Sequence, residues 1–228
     1  NILKKIKYEE KKYKKVWDES TGRYLQGDIF KKFPEILDLF DKEIKEVINQ
    51  IYKSHFCIYF GVLYKSSYNG KGPEGSQLWH IDGGPGTCIN LMYCISEINK
   101  NNGSMKCLTW KQSKLILKQL FKKYEILNKS AKADKLDKIS ARKKKSELLN
   151  LAINENFSSK VFQPKSGPGL VYAFKNNCIH SGGYPSKGKE RYVCVFHIYP
   201  NEKEFDTSIY IKKGVKKTAP YPQNPFAL

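Results

Sequence analysis

SQLWHIDGGPGTCINLMYCISEINKNNGSMKCLTW, residues 76–110, is the stretch from which the rest of the chain is read. At its centre stand His80, Ile81 and Asp82. Side chains alternate along a strand, so residues i and i+2 share a face. If Leu78–Asp82 is extended, His80 and Asp82 project side by side into one cavity. An imidazole nitrogen and a carboxylate oxygen so placed suit two adjacent positions on a metal. A third ligand must come from far along the chain, and His180 in NNCIHSGG is the candidate. Two His and one carboxylate on one triangular face leave the opposite face open to other ligands. His-x-Asp by itself is weak evidence, because two residues at fixed spacing recur by chance.

The signal strengthens with Arg191, which follows His180 by eleven residues and opens the apolar, strand-like run RYVCVFHIYP. A buried guanidinium presents a rigid fork of donors matched to a carboxylate. Beside the expected metal it would suit the distal carboxylate of a keto acid that chelates the metal at its other end. Gln-Leu-Trp-His-Ile-Asp at 77–82, Asn-Asn-Gly-Ser-Met at 101–105, and His180 with Arg191 resemble the iron(II)- and 2-oxoglutarate-dependent oxygenases, in particular their phytanoyl-CoA hydroxylase branch. The resemblance covers roughly 55–110 and 160–200. It implies a double-stranded β-helix, Fe(II) on His80, Asp82 and His180, and 2-oxoglutarate held by Arg191. It further implies O2 as oxidant, with succinate and CO2 released as a substrate C–H is hydroxylated. Related halogenases, as the resemblance implies, have Gly or Ala in place of the carboxylate, so Asp82 argues for hydroxylation or another oxidation. Asn90, Gln77 and Tyr64 are further candidates to touch 2-oxoglutarate, against a packing or solvent role for each.

The other histidines read differently. His55 starts a strand and is expected to be structural. His197 shares the face of Arg191 by alternation and is expected to be a core histidine or one lying behind the ligands. Trp79 should point away from His80, into the core. No convincing nucleophile, triad or Gly-x-Ser-x-Gly elbow is present.

Length and composition fit this picture. A chain of 228 residues with 40% hydrophobic and 13% aromatic content sustains one sizeable core. Residues 1–228 are therefore read as a single domain. No stretch reaches the roughly 20 apolar residues of a membrane span. NILKKIKYEEKKYKK at the start has no apolar run behind it and is not read as a secretory signal. The six cysteines show no Cys-x-x-Cys pair and sit in apolar runs. They are expected to be reduced thiols of an intracellular, cytoplasmic protein rather than a zinc site.

The net charge of +19 is uneven: residues 111–150 carry 13 Lys or Arg against four acidic residues. Such a segment can attract a polyanion, but it equally suits a solvated helical face. Its few aromatics, Phe121 and Tyr124, give little support for base stacking. Nucleic acid is thus a weaker partner expectation than a small-molecule substrate. That alternative, and a non-catalytic barrel acting as a binding module, are the competing readings.

Along the chain, residues 1–33 are expected to lie over the core as a peripheral element. Apolar residues at three- and four-residue steps predict one helix from Pro34 to about Lys53. HFCIYFGVLYKSS (55–67) reads as a strand. SYNGKGPEGS is a loop of the kind that rims a site, QLWHID a short strand, GGPG a turn, and TCINLMYCISEI the next strand. Asn101-Asn102-Gly103 predicts a tight turn into SMKCLTW as a hairpin partner. Residues 111–157 read as two amphipathic helices, a Lys-rich insertion between two halves of a sheet, expected to shape or cover the substrate entrance. Strands return in KVFQP, GPGLVYAFKNNCIH and RYVCVFHIYP, and the proline-rich APYPQNPFAL should run along the surface. Short strands before and after a helical insertion favour a mainly β, α+β jelly-roll barrel.

Overall fold

The computed structural model describes residues 2–19, 21–82, 87–130, 135–165 and 167–214, with the backbone alone at 121, 123–130 and 135–142. The GGPG turn, the proline-rich tail, and the side chains of Phe121, Tyr124, Leu127 and the lysines between 123 and 142 lie outside these residues.

The chain opens with α1 (Ile2–Lys12) and α2 (Ile29–Lys32), then a 3₁₀ turn at Pro34–Leu39 and α3 (Lys42–Tyr52). The single helix expected over 34–53 is therefore two pieces. Phe40 leaves helical geometry, and the Asp41 carboxylate accepts from the Ile44 amide at 2.9 Å, capping a new helix. β1 (His55–Ser67) follows, with the bounds expected from sequence. Next come β2 (Ile89–Cys94), β3 (Lys106–Cys107), α4 (Trp110–Ser130), α5 (Lys135–Asn156), β4 (Val171–Lys175), β5 (His180–Ser181), β6 (Glu190–Asn201) and α6 (Thr207–Lys213).

Four antiparallel strands form the major sheet in the order β1-β6-β2-β4. Facing it is a smaller sheet of β3 and β5, extended by single bridges from His80 to His180 and from Cys107 to Phe162. The two do not close into a barrel: this is an open jelly-roll-like pair. QLWHID is accordingly not a regular strand. Gln77 ends a 3₁₀ turn and only His80 makes a ladder pair, although Asp82 N still bonds Asn176 O at 3.2 Å. SMKCLTW is likewise not the hairpin partner of the strand before it. A 3₁₀ turn at Lys100–Asn102 and Gly103 at φ 87° redirect the chain into the opposite sheet.

Three apolar layers hold the sheets. The alternation of β6 divides two of them: Tyr192, Cys194, Phe196 and Ile198 bury against the N-terminal helices, whereas Arg191, Val193, Val195 and His197 face the space between sheets. The N-terminal layer is more than peripheral, for Ile6 and Phe30 are fully buried. Gly61 permits it, since a Cβ there would stand 2.4 Å from the Phe30 ring. A second layer packs α4 and α5 (Ile116, Leu117, Leu149, Ile153) on Ile81, Leu108 and Ile179. The described side chains of the insertion thus brace the back of the smaller sheet. None of them lines the cavity between the sheets, so the expected entrance cover is not what they form. All six cysteines are free, and only Cys57 is not fully buried. Among the described residues no helix is long and apolar enough to cross a membrane.

Candidate active site

His80 and His180 face each other across a two-way backbone bridge, each amide bonding the other's carbonyl at 2.9 Å. Because Ile81 and Ile179 point to the insertion, alternation turns His80, Asp82 and His180 inward. Their ligand atoms lie within 4.8 Å of one another. His80 Nε2 is 3.5 Å from Asp82 Oδ1, and His180 Nε2 is 3.6 Å from Asp82 Oδ2.

Both rings are fixed in the same way. His80 Nδ1 bonds the Leu78 carbonyl at 2.7 Å and His180 Nδ1 bonds the Cys178 carbonyl at 2.9 Å. A carbonyl accepts only, so each Nδ1 carries the proton and each Nε2 offers its lone pair to the cavity. Burial, reinforced by the nearby His80, depresses His180 to about 4. Burial opposes ionisation of Asp82, but the imidazoles of His180 and His80 outweigh it and hold the carboxyl below its usual range. With His180 neutral and Asp82 ionised at neutral pH, and the Nε2 of His80 aimed at the same point, the trio presents the donor set of a divalent cation.

Asn90, fully buried on β2, donates from Nδ2 to Asp82 Oδ2 at 2.6 Å and to Asn176 Oδ1 at 3.5 Å. Its amide thereby orients the carboxylate of Asp82. Phe174 packs on His180 with ring centroids 4.8 Å apart.

Arg191 is 4% exposed at the floor of the same cavity, of about 440 Å³. Its Nη1 donates to the Gly103 carbonyl, but Nε has no partner, and among the described residues no carboxylate pairs with it. Desolvation lowers it to about 10, still protonated at neutral pH. A buried cation of this kind is costly unless an anion joins it. Tyr64 and Gln77 also line the cavity: Tyr64 lies beneath Arg23, whose guanidinium is 5.9 Å from its ring, and Gln77 Oε1 accepts from Glu74 N at 3.0 Å. His197 lines the opposite end of the cavity from Arg191, beside Phe60, and burial lowers its pKa. His55 is exposed at the start of β1, remote from the cluster.

Sequence reasoning did not find Asn176, Phe174, Met105 or the 17–23 segment, whose Trp17 and Arg23 reach the cavity. Period-2 alternation back from Lys175 could have singled out Phe174's strand but not its partner. The 17–23 segment carries no motif.

No protein-family sequence model matches the chain, and no curated protein is similar to it in sequence. Solved structures match its fold at low identity. EvdMO1 superposes with a TM-score of 0.52 at 13% identity over 87% of this chain, which spans 42% of EvdMO1. HygX from Streptomyces hygroscopicus, with nickel and 2-oxoglutarate bound, gives 0.55 at 9% identity over 89% of this chain and 78% of its own. SnoN, a non-haem α-ketoglutarate-dependent epimerase from nogalamycin biosynthesis, gives 0.53 at 10% identity over 99% and 82%. These likenesses single out no branch, and the phytanoyl-CoA hydroxylase branch is not distinguished among them. The chain has the fold of the non-haem iron- and 2-oxoglutarate-dependent enzymes, with a His-Asp-His cluster in its cavity.

Proposed function

We propose that the chain, 1–228 as one domain with 111–157 as an insertion, is an Fe(II)- and 2-oxoglutarate-dependent oxygenase that hydroxylates a C–H bond of a small or medium organic substrate. One observation carries the reading: a buried guanidinium without an anionic partner shares a cavity with two Nε2 atoms and a carboxylate. The donor set fits ferrous iron and the orphaned cation fits a second carboxylate.

In this reading His80 Nε2, Asp82 and His180 Nε2 hold the metal. Arg191 receives the distal carboxylate of 2-oxoglutarate, with Gln77 and Tyr64 on the walls that touch the ligands. Asn90 keeps one carboxylate oxygen of Asp82 engaged, so the carboxylate presents a fixed edge. Met92, Met105, Val193 and Val195 make the space between metal and arginine apolar, excluding water where a C–H bond must react. When bound, iron with 2-oxoglutarate and O2 supplies the oxidising power for C–H cleavage, releasing succinate and CO2. No protein acid or base is required for that step.

The substrate class draws support from a HygX structure that holds hygromycin B besides nickel and 2-oxoglutarate. The six free thiols fit an intracellular location.

The test is succinate formation from 2-oxoglutarate, dependent on Fe(II) and O2, in the wild type against Asp82→Ala. Uncoupled turnover lost in the variant supports the enzyme without its substrate. Failure of both iron and 2-oxoglutarate to bind would favour a non-catalytic binding module.

A further inference from the structure

A second cavity, of about 490 Å³, lies between α5 and the turn that leads into β3. That volume falls in the range of small-ligand sites, roughly 300–1,000 Å³. Lys100, Lys106 and Lys143 line it, one from the 3₁₀ turn, one from β3 and one from α5. Among the described residues none of the three has a carboxylate partner. Glu147 is the acidic residue in the lining and offsets one charge of three.

The excess is local rather than a reflection of the chain's overall charge. The oxygenase cavity, in the same molecule, balances Arg23, Lys65 and Arg191 with Asp18, Glu19, Glu74 and Asp82. The three lysines, all exposed, border one cavity from separate elements, which raises the potential there, and lysine recognises phosphate as a point charge. Ser146, Ser181, Asn150 and Gln163 add neutral polar groups, and Trp79 and Tyr184 add rings.

We propose that this cavity is a second binding site, for a small phosphate-bearing molecule. It is separate from the metal cluster and shares walls with it. Trp79 precedes His80, Ser181 follows His180, the Gly103 carbonyl holds Arg191, and Gln77 lines both cavities. The basic stretch from 111 to 150 contributes Lys143 here, which gives part of its charge a task other than solvation.

The test needs neither metal nor 2-oxoglutarate, so it stands apart from the oxygenase reading. Inorganic pyrophosphate is titrated calorimetrically into the metal-free full chain, because it would chelate added iron. Three proteins are compared: wild type, the triple variant K100Q/K106Q/K143Q, and the charge-matched K114Q/K118Q/K203Q, whose positions line neither cavity. Thermal unfolding checks that all three are folded. The expected result is binding by wild type and control, with a loss of at least about tenfold in the cavity triple. AMP, in a parallel arm, should compete with pyrophosphate for one site. Equal losses in the two triples, retention in the cavity triple, no binding by wild type, or failure of the two probes to compete would each overturn the proposal.

Discussion

Asn90 Nδ2 donates to Asp82 Oδ2 at 2.6 Å from a fully buried position in the middle of the major sheet. The partner of the carboxylate therefore comes from β2, while His80, Asp82 and His180 belong to the facing layer, so this bond ties the candidate metal cluster to the major sheet across the gap. Partners that orient ligands typically sustain 10–100-fold of metal affinity. Asn90→Leu should weaken Co(II) or Fe(II) binding by about 10–100-fold. The fold should survive, at a cost of about 1–3 kcal/mol because Asn176 loses a buried partner. A metal titration followed by visible absorption, beside a denaturant melt, separates the two effects. Unchanged affinity in a folded variant would show that Asp82 needs no orienting group.

Arg191 gives a sharper test, because stability and function should move in opposite directions. A structural arginine loses stability when replaced. One kept for an absent anion gains, since an uncompensated buried charge is removed. Arg191→Met should leave the ligand-free protein as stable as wild type or raise its Tm by a few degrees, at about 2–4 °C per kcal/mol for this size. The apparent KM for 2-oxoglutarate should rise at least about 100-fold, the loss of a charge-assisted pair. A lower Tm with an unchanged KM would assign the residue to the scaffold.

The pH dependence of the metal-free protein follows from His180. Its folded pKa, about 4, lies below the ordinary histidine value of about 6.5. Between these values the unfolded chain binds more protons than the folded one, so stability falls as pH drops from about 6.5 to about 4. Glu190 extends the decline. Burial opposes its charge, but Lys7, Lys65 and Tyr192 outweigh that and hold it at about 2. Its share is present above the ordinary carboxylate pKa and lost as pH falls toward 2. The contribution is modest, because the pair is partly solvated. Chemical denaturation at successive pH values should show the first slope in apo protein and lose most of it in His180→Gln.

Not all of this could be read from sequence. His80 and Asp82 were legible as an i, i+2 pair, and His180 and Arg191 through the family resemblance and the eleven residues between them. β1 was legible as a long aromatic and β-branched run. The two-piece helix at 34–53 was not: its apolar spacing is continuous, and the break depends on Phe40 and the Asp41 cap outweighing periodicity. The pairing of β3 with β5 was hidden because strand partners are chosen by long-range packing, here under the Gly103 turn. Asn90's engagement with Asp82 was hidden too, since it joins two layers that no local pattern relates.

The insertion supplies the last test. Ile153 is 1% exposed and packs in the layer that contains Ile81 and Ile179, the residues interleaved with the three expected ligands. If that layer holds the His80–His180 bridge in place, a cavity made there should reach the metal. Ile153→Ala should cost about 2–5 kcal/mol by large-to-small substitution. It should also weaken metal binding, because a displacement of the bridge separates the two Nε2 atoms from Asp82. Leu115→Ala, on the exposed side of α4 at 48% accessibility, removes as much side chain without opening a cavity. It should stay within about 0.5 kcal/mol of wild type with full metal affinity. Metal titrations on both variants, at a temperature where each is fully folded, decide the matter. Equal affinities would mean that the helices stabilise the chain without setting the geometry of the cluster.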